Sequence, residues 1–188
     1  MNLIDNAFDT VRREDFVLPQ DKIYADEDVP LPIGHGQTIS QPSTVRKMLE
    51  WLDPQPGERI LDVGSGSGWT TALLSRIVGP TGKIYALEII PELSRTGKRN
   101  CQKIGITNVE FFVAGTKIGL PRHGPYDRIL VSAAAEEMQE ALWSQLRLGG
   151  KLVIPVRYTI HEMTKTTAGW NDVPHPGFVF VPLVIHQH

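Results

Sequence analysis

LDVGSGSGWTTALLS, residues 61–75, decides the fold. A short apolar run ends at Asp62-Val63, three glycines (Gly64, Gly66, Gly68) alternate with Ser65 and Ser67, and a helical stretch, Thr70–Val78, follows. Strand, glycine turn and helix in that order make a glycine-rich motif informative. Without a Cβ, the backbone can turn sharply and approach a ligand closely. The same alternation continues on both sides of the motif. Arg59–Val63, Lys83–Glu88, Val109–Val113, Asp127–Val131 and Lys151–Val156 read as strands, and Thr70–Val78, Pro91–Ile104 and Glu136–Leu148 as helices stopped by glycine. The pattern predicts an α/β fold, a three-layer α/β/α Rossmann-like sandwich on a mostly parallel sheet.

The flanks are less regular. Residues 1–40 read as an N-terminal wrap and active-site loop, with a short helix near Ala7–Arg13 and an acidic stretch from Asp21 to Asp28. Ser40 reads as the N-cap of a helix whose apolar face is Val45, Met48, Leu49 and Leu52, ended by Asp53-Pro54. Within 157–188, Tyr158–Thr166 and Phe178–Ile185 are expected to form a strand pair closing the sheet edge, joined by a loop over Ala168–Gly177.

A length of 188 residues fits one domain, 1–188. The net charge of −2 lacks the basic footprint of a nucleic-acid binder. Arg95, Lys98, Arg99 and Lys103 read as one solvated helix face. Cys101 is the single cysteine, which excludes an internal disulfide and a cysteine metal cluster. His161-Glu162-Met163 opens like a zincin motif, but Lys165 stands where the second His is needed, so no metal is expected. No signal-like h-region and no run of 18 apolar residues occurs. A cytoplasmic monomer without membrane or nucleic-acid partners is the expectation.

The motif also selects its ligand. A dinucleotide fingerprint needs Gly or Ala at its sixth position, which here is Trp69. Asp62 would repel a pyrophosphate but suits the cationic amino-acid end of S-adenosylmethionine. Glu88 ends the next strand about 20 residues past Gly68, the distance at which an acidic residue reaches ribose hydroxyls. Asp62, Gly64, Ser65, Gly66, Ser67, Gly68 and Glu88 are therefore candidate cofactor contacts.

The stretch LPIGHGQTISQPSTV, 31–45, together with RILDVGSGSGWTTALLS, GKIYALE, YDRILVSAAA, LGGKLVIPV and FVPL, resembles the protein-L-isoaspartate (D-aspartate) O-methyltransferase family from about Phe8 to Leu183. The resemblance implies methyl transfer from S-adenosylmethionine to the free carboxylate of isoaspartyl residues in damaged proteins. The ester then cyclises to a succinimide, which permits repair. It places the family's active-site serine at Ser40, next to Thr38, and adds Ile39, Ile89, Ala114, Gly115 and Thr116 as cofactor contacts. Where the family carries Gly-Asp-Gly after the third strand, its Asp meeting the adenine amino group, this chain reads Val113-Ala114-Gly115. Arg157-Tyr158 and Glu136-Glu137-Met138-Gln139 also depart from the family pattern, near the expected peptide side.

Simple chemistry is consistent with a carboxylate acceptor, which is about 99.9% ionised at pH 7 and needs no general base. Two rival readings stay open. One is another acceptor, a small molecule or RNA, which would need a base such as His35; the other is a degenerate binding module without turnover.

Overall fold

A computed structural model describes residues 2–184. Its centre is a seven-stranded sheet in the order β5-β4-β3-β6-β7-β8-β9. These strands are β3 (Arg59–Val63), β4 (Lys83–Glu88), β5 (Val109–Val113), β6 (Tyr126–Val131), β7 (Leu146–Val156), β8 (Thr159–Thr166) and β9 (Gly169–Pro176). The first five in spatial order run parallel, and β8 and β9 complete the edge antiparallel. A separate hairpin, β1 (Leu31–Gly34) and β2 (Gln37–Ile39), carries most of the LPIGHGQTIS stretch.

The central strands bury both faces, as parallel strands must. Ile60, Ile84, Leu130 and Val153 point to one side, packing under α1 (Leu3–Thr10), α2 (Pro42–Leu52), α3 (Trp69–Val78) and α4 (Pro91–Lys103). Leu61, Val63, Leu87, Ile129 and Ile154 point to the other, where the cover is thin: α5 (Glu140–Trp143) and the connections around Ile118, Leu120 and Met138. The expected three layers are present, with a second helical layer much reduced. No helix among the described residues is long and apolar enough to cross a membrane.

Several local expectations change. The first helix is Leu3–Thr10 rather than Ala7–Arg13, because the Asn2 side chain accepts from the Ile4 N–H at 3.1 Å and caps it early. The helix expected over Glu136–Leu148 shrinks to α5. Its flanks are drawn into the sheet: the Ala135 N–H donates to the Pro155 carbonyl, the Gln145 carbonyl accepts from Tyr126 N–H, and Leu146 already pairs in β7. The expected loop over Ala168–Gly177 is mostly strand β9. Its glycine and prolines read as breakers, yet an edge strand tolerates Pro174 and Pro176 because its outer N–H groups need no ladder partner. The expected second strand, Phe178–Ile185, is instead an extended crossing through Val184, with one bridge, Pro182 to Ala134; Ile185 lies outside the described residues.

Ser40 is not the cap of α2. The N-cap is Gln41, without a side-chain bond. The cap is supplied from the acidic stretch: Asp28 Oδ1 accepts from the Ser43 N–H and Oδ2 from Gln41 Nε2, both at 2.8 Å. These two bonds hold the Asp28 carboxyl below the usual carboxylate range.

Candidate active site

The glycine loop is fixed to the ends of β3 and β4. Gly64 and Ser65 N–H groups donate to the Leu87 carbonyl at 2.8 and 3.2 Å. Glu88 Oε2 accepts from the Gly66 N–H at 2.8 Å, and Oε1 from Ile90 N–H at 3.0 Å. Gly64, Gly66 and Gly68 have φ of +81°, +52° and +92°, a region costly for residues with a Cβ. A Cβ on Gly66 would also stand 3.0 Å from Ile33 Cδ1 of the hairpin folded over the loop.

Two cavities meet above this loop, at the carboxyl ends of the strands where such sheets bind ligands. The first, about 710 Å³ and partly open to solvent, is walled by Gly64, Gly66, Glu88, Ile89, Ala114 and Gly115, with Thr38 and Ser132 at one end. The second, a groove open to solvent, is lined by Pro30, Thr38, Ser40, Gln41, Thr44, Ser132 and the crossing residues Val179–Val181. Thr38, Ser132 and Val181 belong to both. A small recess between them is lined by Thr38, Ile39, Ser40, Gly64, Ser65, Gly66 and Ser67.

Most of the expected site residues therefore come together, and three do not line these cavities. Thr116 is exposed outside them. Gly68 lies beneath, where the position of its missing Cβ is 3.0 Å from Gly97 Cα of α4, so its smallness serves helix packing. Asp62 is wholly buried under the loop, accepting from Thr71 Oγ1 at 2.5 Å, while its Oδ1 has no partner among the described residues. Burial, reinforced by the nearby Glu88 charge and opposed by the Thr71 bond, raises its pKa to about 7. Its expected direct contact with a cationic ligand is not what the geometry provides. The Cys101 thiol is pushed up to about 12 by burial and by the Asp62 charge, and is inert.

The residues missed by sequence reasoning include Ser132, Lys117, Ile118 and the crossing 181–184. Ser132 was legible in principle, since it directly follows the β6 strand and strand carboxyl ends line such sites. His35 sits at the exposed tip of the β1–β2 hairpin, away from all three walls. His175 stacks on Trp51 at 3.8 Å, and Trp170 packs on Trp143 at 4.7 Å, so neither lines the grooves. No cluster of three or more His, Cys, Asp or Glu suited to a metal occurs among the described residues.

A glycine-turn cleft with an acidic residue ending β4, and with Trp69 where a dinucleotide fold needs Gly or Ala, fits the S-adenosylmethionine-dependent methyltransferase class. Its cradle is one that a Cβ at Gly66 would fill. Within that class the chain belongs to the protein-L-isoaspartate(D-aspartate) O-methyltransferase family, which it matches over residues 2–187. It is 51% identical to the Aeropyrum pernix protein-L-isoaspartate O-methyltransferase over 80% of this chain, spanning 58% of that relative's length. It is 48% identical to the Staphylothermus marinus one, covering 93% of this chain and 83% of the relative. A solved structure of a candidate family member from Plasmodium falciparum, in complex with S-adenosyl-L-homocysteine, superposes with a TM-score of 0.87 at 26% identity, covering 98% and 91% of the two chains.

Proposed function

We propose that this protein transfers a methyl group from S-adenosylmethionine to the free carboxylate of L-isoaspartyl residues in damaged proteins, as a cytoplasmic monomer. One observation carries the choice of acceptor. The described residues that line the groove meeting the cofactor cleft offer hydroxyls, an amide and apolar groups, with no Asp, Glu, His, Lys, Tyr or Cys among them. An amine or alcohol acceptor needs a base within hydrogen-bond reach. A carboxylate arrives ionised and needs only orientation and exclusion of water.

In this reading Gly64, Gly66, Glu88, Ile89, Ala114 and Gly115 hold the cofactor, and Glu88 offers its remaining lone pairs to ribose hydroxyls. When bound, the cofactor supplies an electrophilic methyl group on a sulfonium. Thr38, Ser40 and Ser132 present hydroxyls at the junction, where they can donate to an acceptor carboxylate and aim one oxygen. The crossing residues Val179–Val181 add an apolar wall beside the junction.

The test is methyl transfer from labelled S-adenosylmethionine to matched isoaspartyl and aspartyl peptides. Label on the isoaspartyl peptide alone is expected. Equal labelling of both, or labelling of RNA or a metabolite instead, would reject this acceptor.

A further inference from the structure

We propose that Arg13 is a positioning residue for methyl transfer: its guanidinium fixes Ser40 and ties the acceptor loop to the glycine-loop helix. This rests on the acceptor role given to Ser40 above. Arg13 is 6% exposed, and the nearest carbonyl its side chain binds is 12 residues away in sequence. Its Nη1 donates to the carbonyls of Ala25 and Glu27 at 3.1 and 3.2 Å, and its Nη2 to those of Val29 and Ser40 at 2.7 and 3.2 Å. The guanidinium also lies 5.4 Å from the ring centroid of Trp69, the first residue of α3 after the glycine loop.

Three of these bonds gather the segment that carries Asp28; the fourth goes to Ser40 itself. Asp28 in turn holds the Ser43 N–H. The acceptor loop is thus held on both sides of Ser40, from its carbonyl by Arg13 and from the start of α2 by Asp28. Because Asp28 does the capping, the Ser40 hydroxyl is released to face the junction, and its aim depends on the backbone that Arg13 holds. Only a planar fork can reach four carbonyls on two segments; an ammonium presents one nitrogen.

The test uses Arg13→Lys, which keeps the charge, and Arg13→Gln, which keeps two amide donors, each checked for folding by thermal melt. Turnover of the isoaspartyl peptide should fall roughly tenfold to a hundredfold, the scale of an ångström's misplacement. Affinity for S-adenosylmethionine should hold. In a double-mutant cycle, Arg13→Lys should cost little further turnover once Ser40→Ala is present, since the two act as one unit.

Wild-type turnover in either folded variant would overturn the proposal, as would losses that simply add to that of Ser40→Ala. Failure of both variants to fold would show that Arg13 serves the fold alone, which also overturns it. A wild-type enzyme inactive on isoaspartyl peptides would instead defeat the acceptor reading, and this inference with it.

Discussion

Replacing Gly97 by alanine sets two known effects against each other. Gly97 is in the middle of α4, so the change should favour the helix by about 0.8–1.0 kcal/mol. The new Cβ, however, would stand 3.0 Å from Phe111 Cε1, 3.1 Å from the Gly66 carbonyl oxygen and 3.3 Å from the Gly68 nitrogen. Two of those atoms are backbone of the glycine loop, which is bonded to the ends of β3 and β4 and cannot step aside alone. Overpacking of this kind costs about 1–3 kcal/mol. The net is a loss of about 0–2 kcal/mol, and a melting temperature lower by roughly 2–4 °C per kcal/mol in a chain of this size. The more diagnostic effect is on binding, because a displaced Gly66 moves the cleft wall. Calorimetry should show S-adenosylmethionine affinity falling by more than the stability does. A variant that melts higher and binds as well as wild type would show that α4 and the loop are not in tight contact.

Gly66→Val puts a branched side chain at φ +52° against Ile33, so calorimetry should find cofactor affinity lost in a protein that still folds. Ser40→Ala should lower turnover while leaving both cofactor affinity and melting temperature near wild type, because Asp28 rather than Ser40 caps α2; a drop in stability without loss of turnover would reverse that assignment. Asp62 has a folded pKa of about 7, above its ordinary value. Between about pH 4 and 7 the folded state then binds more protons than the unfolded one, and Asp62's contribution to stability falls as pH rises through that window. Asp62→Asn should flatten this slope in thermal melts and raise the melting temperature relative to wild type at pH 8; an unchanged slope would show that Asp62 is ionised throughout. Ala114→Asp puts a carboxylate on the cleft wall, where the family resemblance implies an Asp facing the adenine amino group. A hydrogen bond to a charged group contributes about 1.5–3 kcal/mol, so titration should show roughly tenfold tighter S-adenosylmethionine binding, absent for an analogue lacking that amino group.

The parts of the fold legible in the sequence are those set by local chemistry. The five parallel strands and helices α3 and α4 follow from period and glycine stops, and Gly64, Gly66 and Glu88 from strand context. What escaped depends on contacts distant in sequence. Arg13 falls in a stretch that reads only as an N-terminal wrap, and the tertiary structure alone shows it buried among carbonyls 12–27 residues away. Ser40 looked like a cap because a local hydroxyl was available, but a carboxylate 15 residues before Ser43 occupies that place. Edge strand β9 was hidden by glycine, asparagine and proline, residues that only an edge position allows. Gly97 carries no local signal at all; its reason is the loop against which it packs.

The crossing from Val181 to Val184 has a consequence beyond covering the cleft. It is held by the Ala134 N–H donating to the Val181 carbonyl and the Leu183 N–H to the Ala134 carbonyl, so the cleft is closed by chain far from the glycine loop. Segments near residues 33–38, 63–66, 87–89, 114–119, 132–133 and 181–184 must all be in place at once. A binding site scattered so widely along the chain cannot survive partial unfolding of any one of its contributors. Ligand occupancy is then linked to the whole cooperative unit, and cofactor at about a hundred times its dissociation constant would add about 2.7 kcal/mol against every opening that breaks the cleft. The lifetime of the protein in a cell, through its resistance to proteases, would rise and fall with the supply of methyl donor.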